Sequence, residues 1–104
     1  MNKRNIILIG MPGAGKSSVG VILAKVLGYE FIDTDLVIQH REKRLLREII
    51  ADEGNEGFLA IENEVNATLE ADKSVIAPGG SAIYGKEAME HFKEIGTIVY
   101  LKLS

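Results

Sequence analysis

Residues Gly10-Met11-Pro12-Gly13-Ala14-Gly15-Lys16-Ser17 fit the spacing G-x-x-x-x-G-K-[ST] at every fixed position. Glycines at 10, 13 and 15 let a backbone turn tightly, so that successive N–H groups point into one anion-sized hollow. Phosphate suits such a hollow. In this pattern Lys16 reaches the terminal phosphates as a mobile point charge. The Ser17 hydroxyl holds Mg²⁺, an ion that keeps waters and shares its coordination with phosphate oxygens. The expected nucleotide-binding set is Gly13, Ala14, Gly15, Lys16, Ser17 and Ser18, and the motif alone does not choose between ATP and GTP. The bland reading is a glycine-rich turn that binds nothing.

A second cluster with chemical potential is Asp33-Thr34-Asp35. Two carboxylates two residues apart could divide the labour of a transfer site, one holding Mg²⁺ through water and the other orienting a hydroxyl. Helix capping is the alternative, because Thr34 or Asp35 before an apolar run is an ordinary N-cap. A third candidate is Pro78-Gly79-Gly80-Ser81, where adjacent glycines after a strand let a backbone approach a ligand closely, or simply make a tight turn.

The elements that must position these residues are legible around them. Ile6, Ile7, Leu8 and Ile9 form a continuous apolar run, as in a strand buried on both faces of a parallel sheet. After Lys16, Val19, Ile22, Leu23, Val26 and Leu27 recur at helical spacing and Gly28 marks a stop. A strand is expected over Tyr29–Asp33, then a helix from Leu36. Leu45, Leu46, Ile49 and Ile50 line one short helix that Gly54 breaks. Phe58, Ile61, Val65 and Leu69 line the next, with Leu59, Glu62, Asn63 and Asn66 on its flank. A short strand over Ser74–Ala77, a helix over Lys86–Ile95 broken by Gly96, and a strand over Thr97–Leu101 complete the alternation. Such alternation predicts an α/β fold, a parallel sheet with helices on both faces. Ligands then gather at the carboxyl ends of the strands, where all three clusters lie.

Composition narrows the function classes. With 104 residues the chain is one domain of ordinary size, able to bury roughly 65% of its unfolded surface. It is 46% hydrophobic and 26% charged, as soluble globular proteins are. A net charge of −3 lacks the positive field that nonspecific nucleic-acid binding needs. The absence of cysteine removes disulfides, thiolate catalysis and cysteine metal sites, and suits a cytoplasmic location. No stretch has the length of a membrane span, and Gly10 and Pro12 interrupt the apolar run that follows Lys3 and Arg4. The charged run Arg41-Glu42-Lys43-Arg44 reads as a solvated helix face, and His40 and His91 read as surface residues without partners.

Four features in order, Gly10 to Ser17, Phe31-Ile32-Asp33-Thr34-Asp35, Gly57-Phe58 with Glu62, and Gly79-Gly80, resemble the shikimate kinase family. That family belongs to the nucleoside-monophosphate-kinase-like P-loop group. The resemblance implies a three-layer α/β/α P-loop fold and transfer of the γ-phosphoryl group of ATP, with Mg²⁺, to shikimate. It implies that Asp33 helps organise the metal with Ser17. It also implies that Asp35 binds the hydroxyl that is phosphorylated, and that Gly79 and Gly80 offer backbone to the substrate. Lys16 and Asp35 are then the catalytic pair.

Three departures accompany the resemblance. Leu59 stands where family members place an arginine that clamps the substrate carboxylate. A hydrogen bond to a charged group contributes about 1.5 to 3 kcal/mol, so its loss implies roughly ten- to hundredfold weaker carboxylate binding. The third glycine of the family's run is Ser81, and Pro78 precedes it where a hydroxyl residue is usual. The chain also stops at Ser104, before the lid arginine, the second substrate arginine and the last strand of the family pattern. Residues 1–104 are therefore expected to be the N-terminal and central part of one kinase domain, with the Thr97–Leu101 edge open to self-association. A kinase for another small polyol or acid, and an ATP-binding module without transfer activity, are the competing readings.

Overall fold

A computed structural model describes residues 4–10 and 16–101. The apolar run at the start becomes β1 (Asn5–Gly10), followed by α1 (Lys16–Leu27), β2 (Glu30–Asp33), α2 (Thr34–Glu42), α3 (Leu46–Ala67), β3 (Ser74–Ala77), α4 (Lys86–Ile95) and β4 (Gly96–Leu101). A single 3-10 turn, Ala82–Tyr84, lies between β3 and α4. The sheet order is β2-β3-β1-β4 and every pairing is parallel. Ile7 stands opposite Ile76 on one side and Ile98 on the other, and Asp33 stands opposite Ala77.

Because strand side chains alternate between faces, β1 supplies two cores. Ile7 and Ile9 pack with Ile76, Phe92 and Ile95 beneath α4. Leu8 packs with Val75 and Ala24 beneath α1. The result is the three-layer α/β/α arrangement expected of the chain. A third cluster, Ile38, Ile49 and Val65, joins α2 to α3 away from the sheet. Asn5 is buried at the sheet's amino end. Its Nδ2 donates to the carbonyls of Ala71 and Ile95, both at 2.9 Å, while its Oδ1 accepts from the Ser74 N–H at 3.0 Å. That amide fastens β1 to the start of β3 and the end of α4.

Four local expectations need correction. On α1 only part of the apolar stripe faces the sheet: Leu23 packs on the Leu8–Ala24–Val75 cluster, but Ile22 is 63% and Val26 77% exposed, and the buried positions are Gly20 and Ala24. The small residues win that face because the sheet comes close, and a β-carbon at Gly20 would stand 2.6 Å from Cε1 of Phe31. Helix α2 begins at Thr34, and its N-cap is Asp33 rather than Thr34 or Asp35. His91 is half-buried and has a partner, its Nε2–H donating to the Leu69 carbonyl at 2.6 Å, because α4 lies against the end of α3. The charged run is not merely solvated: Arg44 bonds Glu42 and Asp52, each at 3.1 Å, and Arg41 bonds Glu64.

Gly54 does break the helix, as a kink with φ 76° and ψ 174° inside α3. Positive φ suits glycine, so the two halves of α3 can meet there without the strain a side chain would add.

Candidate active site

All four strands are parallel, so their carboxyl ends share one edge of the sheet, and the chemistry-bearing residues follow those ends. β1 ends at Gly10 and α1 opens at Lys16; the intervening Gly13, Ala14 and Gly15 and the side chains of Lys16 and Ser17 lie outside the described residues. Ser18, on the first turn of α1, is exposed. β2 ends at Asp33 and β3 at Ala77, directly opposite it.

Asp33 is half-buried, and its Oδ1 accepts the Asp35 N–H at 2.9 Å. The carboxylate expected to help organise a metal is therefore also the helix cap. Among the described residues no group of three or more His, Asp or Glu could hold a metal ion alone. A lone half-buried carboxylate such as Asp33 is compatible with Mg²⁺, which is commonly held by one or two protein oxygens together with phosphates and water.

Asp35 turns toward the glycine run. Its Oδ1 lies 2.9 Å, and Oε2 of Glu62 lies 3.0 Å, from the position a β-carbon on Gly79 would occupy. A β-carbon at 79 would press on both carboxylates and oblige the Asp35 side chain to shift. The chain thus brings together Asp35 and Gly79, two of the expected substrate residues, while Gly80 follows on the exposed side of the turn. Glu62 joins them from α3 and is only 2% exposed, a depth at which a carboxylate requires hydrogen-bond partners. One is Ser81, whose Oγ donates to Oε1 of Glu62 at 2.7 Å. The sequence singles out Glu62 with Gly57-Phe58 as a family-like feature and Ser81 as a departure, but not their pairing.

Beside this cluster lies a cavity of about 290 Å³ whose wall includes Leu59, Glu62, Asn63, Ser81, Tyr84 and Lys86. It is at the small end of the roughly 300–1,000 Å³ usual for ligand sites. Asn63 closes its floor: Oδ1 accepts the Ala88 N–H at 3.0 Å and Nδ2 donates to Oε1 of Glu87 at 3.2 Å. Two other buried polar side chains, Thr34 and Asn66, carry atoms without a hydrogen-bond partner.

A family model described as shikimate kinase matches residues 12–104. The chain belongs to the shikimate kinase family. A relative named shikimate kinase 2, from Yersinia enterocolitica, is 39% identical over 101 residues, which are 97% of this chain and 58% of that protein. Among solved structures, the shikimate kinase from Acinetobacter baumannii in complex with shikimate superposes with a TM-score of 0.90 at 38% identity. The alignment covers 98% of this chain and 57% of that one. The Aquifex aeolicus shikimate kinase gives a TM-score of 0.86 at 35% identity, over 96% and 60% of the two chains. The chain spans about 58% of the length of the curated relatives it matches. Within the family frame, Leu59 faces the cavity wall with 37% of its surface exposed and offers it no charge.

Proposed function

We propose that the protein is an ATP-dependent kinase that transfers the γ-phosphoryl group to a hydroxyl of shikimate, giving shikimate 3-phosphate and ADP. The observation that carries this reading is the contact of Asp35 with Gly79 at the carboxyl edge of the sheet, the edge at which β1 ends at Gly10. Family membership supports the choice of acceptor.

In this mechanism the backbone from Gly13 to Ser18 cradles the phosphates and Lys16 draws negative charge off the terminal ones. Ser17 and, through water, Asp33 would hold Mg²⁺, which would supply positive charge to the phosphate oxygens. Asp35 accepts a hydrogen bond from the acceptor hydroxyl and takes its proton as the oxygen bonds to the γ-phosphorus and the bond to the β–γ bridging oxygen breaks. Gly79 and Gly80 hold the acceptor by backbone at close range. Most of the work is positioning and charge neutralisation. The reading includes a cytoplasmic protein with a small-molecule partner and no nucleic-acid or membrane partner. Among the described residues no helix is long and apolar enough to cross a membrane.

Leu59 favours a second reading, a kinase of the same type for another small polyol or acid. The two separate by assay: the intact protein as encoded is given ATP-Mg and shikimate, and ADP release is measured. Turnover that depends on shikimate and disappears in Asp35→Asn supports the first. ADP release with another hydroxy acid and none with shikimate supports the second.

A further inference from the structure

We propose that Lys86 is the specificity-determining cation of the acceptor site, taking the acceptor's carboxylate in the cavity that Leu59 also lines. The inference rests on the proposed function, in that it assumes an acceptor carrying a carboxylate.

Lys86 opens α4 and lines the same cavity as Leu59, Glu62 and Ser81. It is the only cationic side chain on that wall among the described residues. The two acidic residues of the wall already have protein donors: Glu62 accepts from Ser81 at 2.7 Å and Glu87 from Asn63 at 3.2 Å. Lys86 has no ion-pair partner among the described residues, so its ammonium is free to pair with an anionic group of a ligand.

The lysine's backbone is also held in place. Gly85 packs so closely on the Asn63 amide that a side chain there would overlap it, and Asn63 in turn accepts the Ala88 N–H. The start of α4, from which the lysine side chain extends, is thereby held against α3, the helix that carries Leu59 and Glu62. A small ring acid with its reacting hydroxyl toward Asp35 and Gly79 would pass Glu62 and Ser81. It would reach the Leu59–Lys86 end of the cavity with its other end. Leu59 and Tyr84 supply apolar wall for a ring, and Lys86 supplies the charge for the acid. A single ammonium is a less directional partner than a guanidinium, and Lys86 is exposed, so the affinity gained is moderate.

The test compares shikimate with its uncharged carboxamide on the intact protein as encoded, by calorimetry and steady-state kinetics. The unmodified protein should bind the acid roughly tenfold or more tightly than the amide. In Lys86→Gln the KM for shikimate should rise by a similar factor, with kcat and the KM for ATP little changed, and the preference for the acid should vanish. Lys86→Arg should retain the preference. If the unmodified protein binds shikimate but Lys86→Gln keeps both its affinity and its preference, the inference is overturned and the proposed function stands. If the unmodified protein neither binds nor phosphorylates shikimate, the proposed acceptor is overturned and the inference with it.

Discussion

Ser81 Oγ lies 2.7 Å from Oε1 of Glu62, a hydrogen bond that ties the turn after β3 to α3 through a carboxylate almost wholly out of water. The bond keeps that carboxylate beside Gly79, where Oε2 shares the crowded ground above the backbone with Asp35. A departure from the family's glycine run thus has a definite structural use.

Removing that hydroxyl should be costly for a single oxygen atom. A hydrogen bond to a charged group contributes about 1.5–3 kcal/mol, and Ser81→Ala leaves the lost donor unreplaced beside a buried charge. The expected result is a fall in unfolding free energy of about that size in urea, with no change in slope. An unchanged midpoint would show that Glu62 does not depend on Ser81.

The nucleotide and acceptor halves of the site should separate by mutation. Lys16→Ala should weaken ATP-Mg binding at least tenfold, since the backbone of the loop tolerates side-chain change while the charge on the terminal phosphates has one partner. Asp35→Asn should leave ATP affinity within a factor of about two and lower kcat by about 10² to 10⁴. Calorimetry at one salt concentration, set beside single-turnover rates, checks both. Equal turnover in Asp35→Asn would reduce that residue to its place in the first turn of α2.

Much of this architecture is legible in the residues themselves, for identifiable reasons. The Ile6–Ile9 run announces a strand covered on both faces, and Gly54 announces a helix break because positive φ suits glycine there. The inward face of α1 was legible only at Leu23, because its buried positions are Gly20 and Ala24, and hydrophobic periodicity gives such small residues little weight. Asp33 as the cap was missed since capping depends on where the helix begins, and boundaries shift by a residue or more. The Glu62–Ser81 and Leu59–Lys86 relationships join residues far apart in the chain. Only the packing of α3 against the turn and α4 creates them.

Asn66 offers a test of the interior. Both polar atoms of its amide are buried without a hydrogen-bond partner, a condition that costs about 1–3 kcal/mol for each group unless water enters. Asn66→Leu, similar in volume, should raise stability by about 1–2 kcal/mol by thermal or urea unfolding. A loss of stability instead would place an internal water against the amide.

Leu59→Arg asks whether the cavity can take a second cation. Glu62, three residues along the same helix, lies close enough to orient a guanidinium, and the cavity beside both would receive a carboxylate. Affinity for shikimate should tighten roughly ten- to hundredfold, and the gain should be largest in the Lys86→Gln background. No gain in either background would mean that the natural acceptor is not an acid.

The last prediction concerns the free edge of the sheet. Among the described residues β4 pairs only with β1, so one side of Gly96–Leu101 carries backbone N–H and C=O groups that no other strand covers. Val99 and Tyr100 on that strand are 38% and 63% exposed, and no proline or inward-facing charge blunts the edge between Thr97 and Leu101. Such an edge is a template for another chain, because pairing satisfies its backbone groups and covers its apolar side chains at once. The exposed Ile22 and Val26 of α1 add apolar surface elsewhere on the chain that favours association. The 104-residue chain should therefore self-associate, its weight-average mass in sedimentation rising with concentration through the micromolar range. Val99→Lys places a charge on the edge and should shift the chain toward monomer without unfolding it, since Val99 contributes no fully buried surface. A chain that stays monomeric at every concentration, with Val99→Lys indistinguishable from it, would mean that twist or side-chain cover protects this edge well enough without a partner.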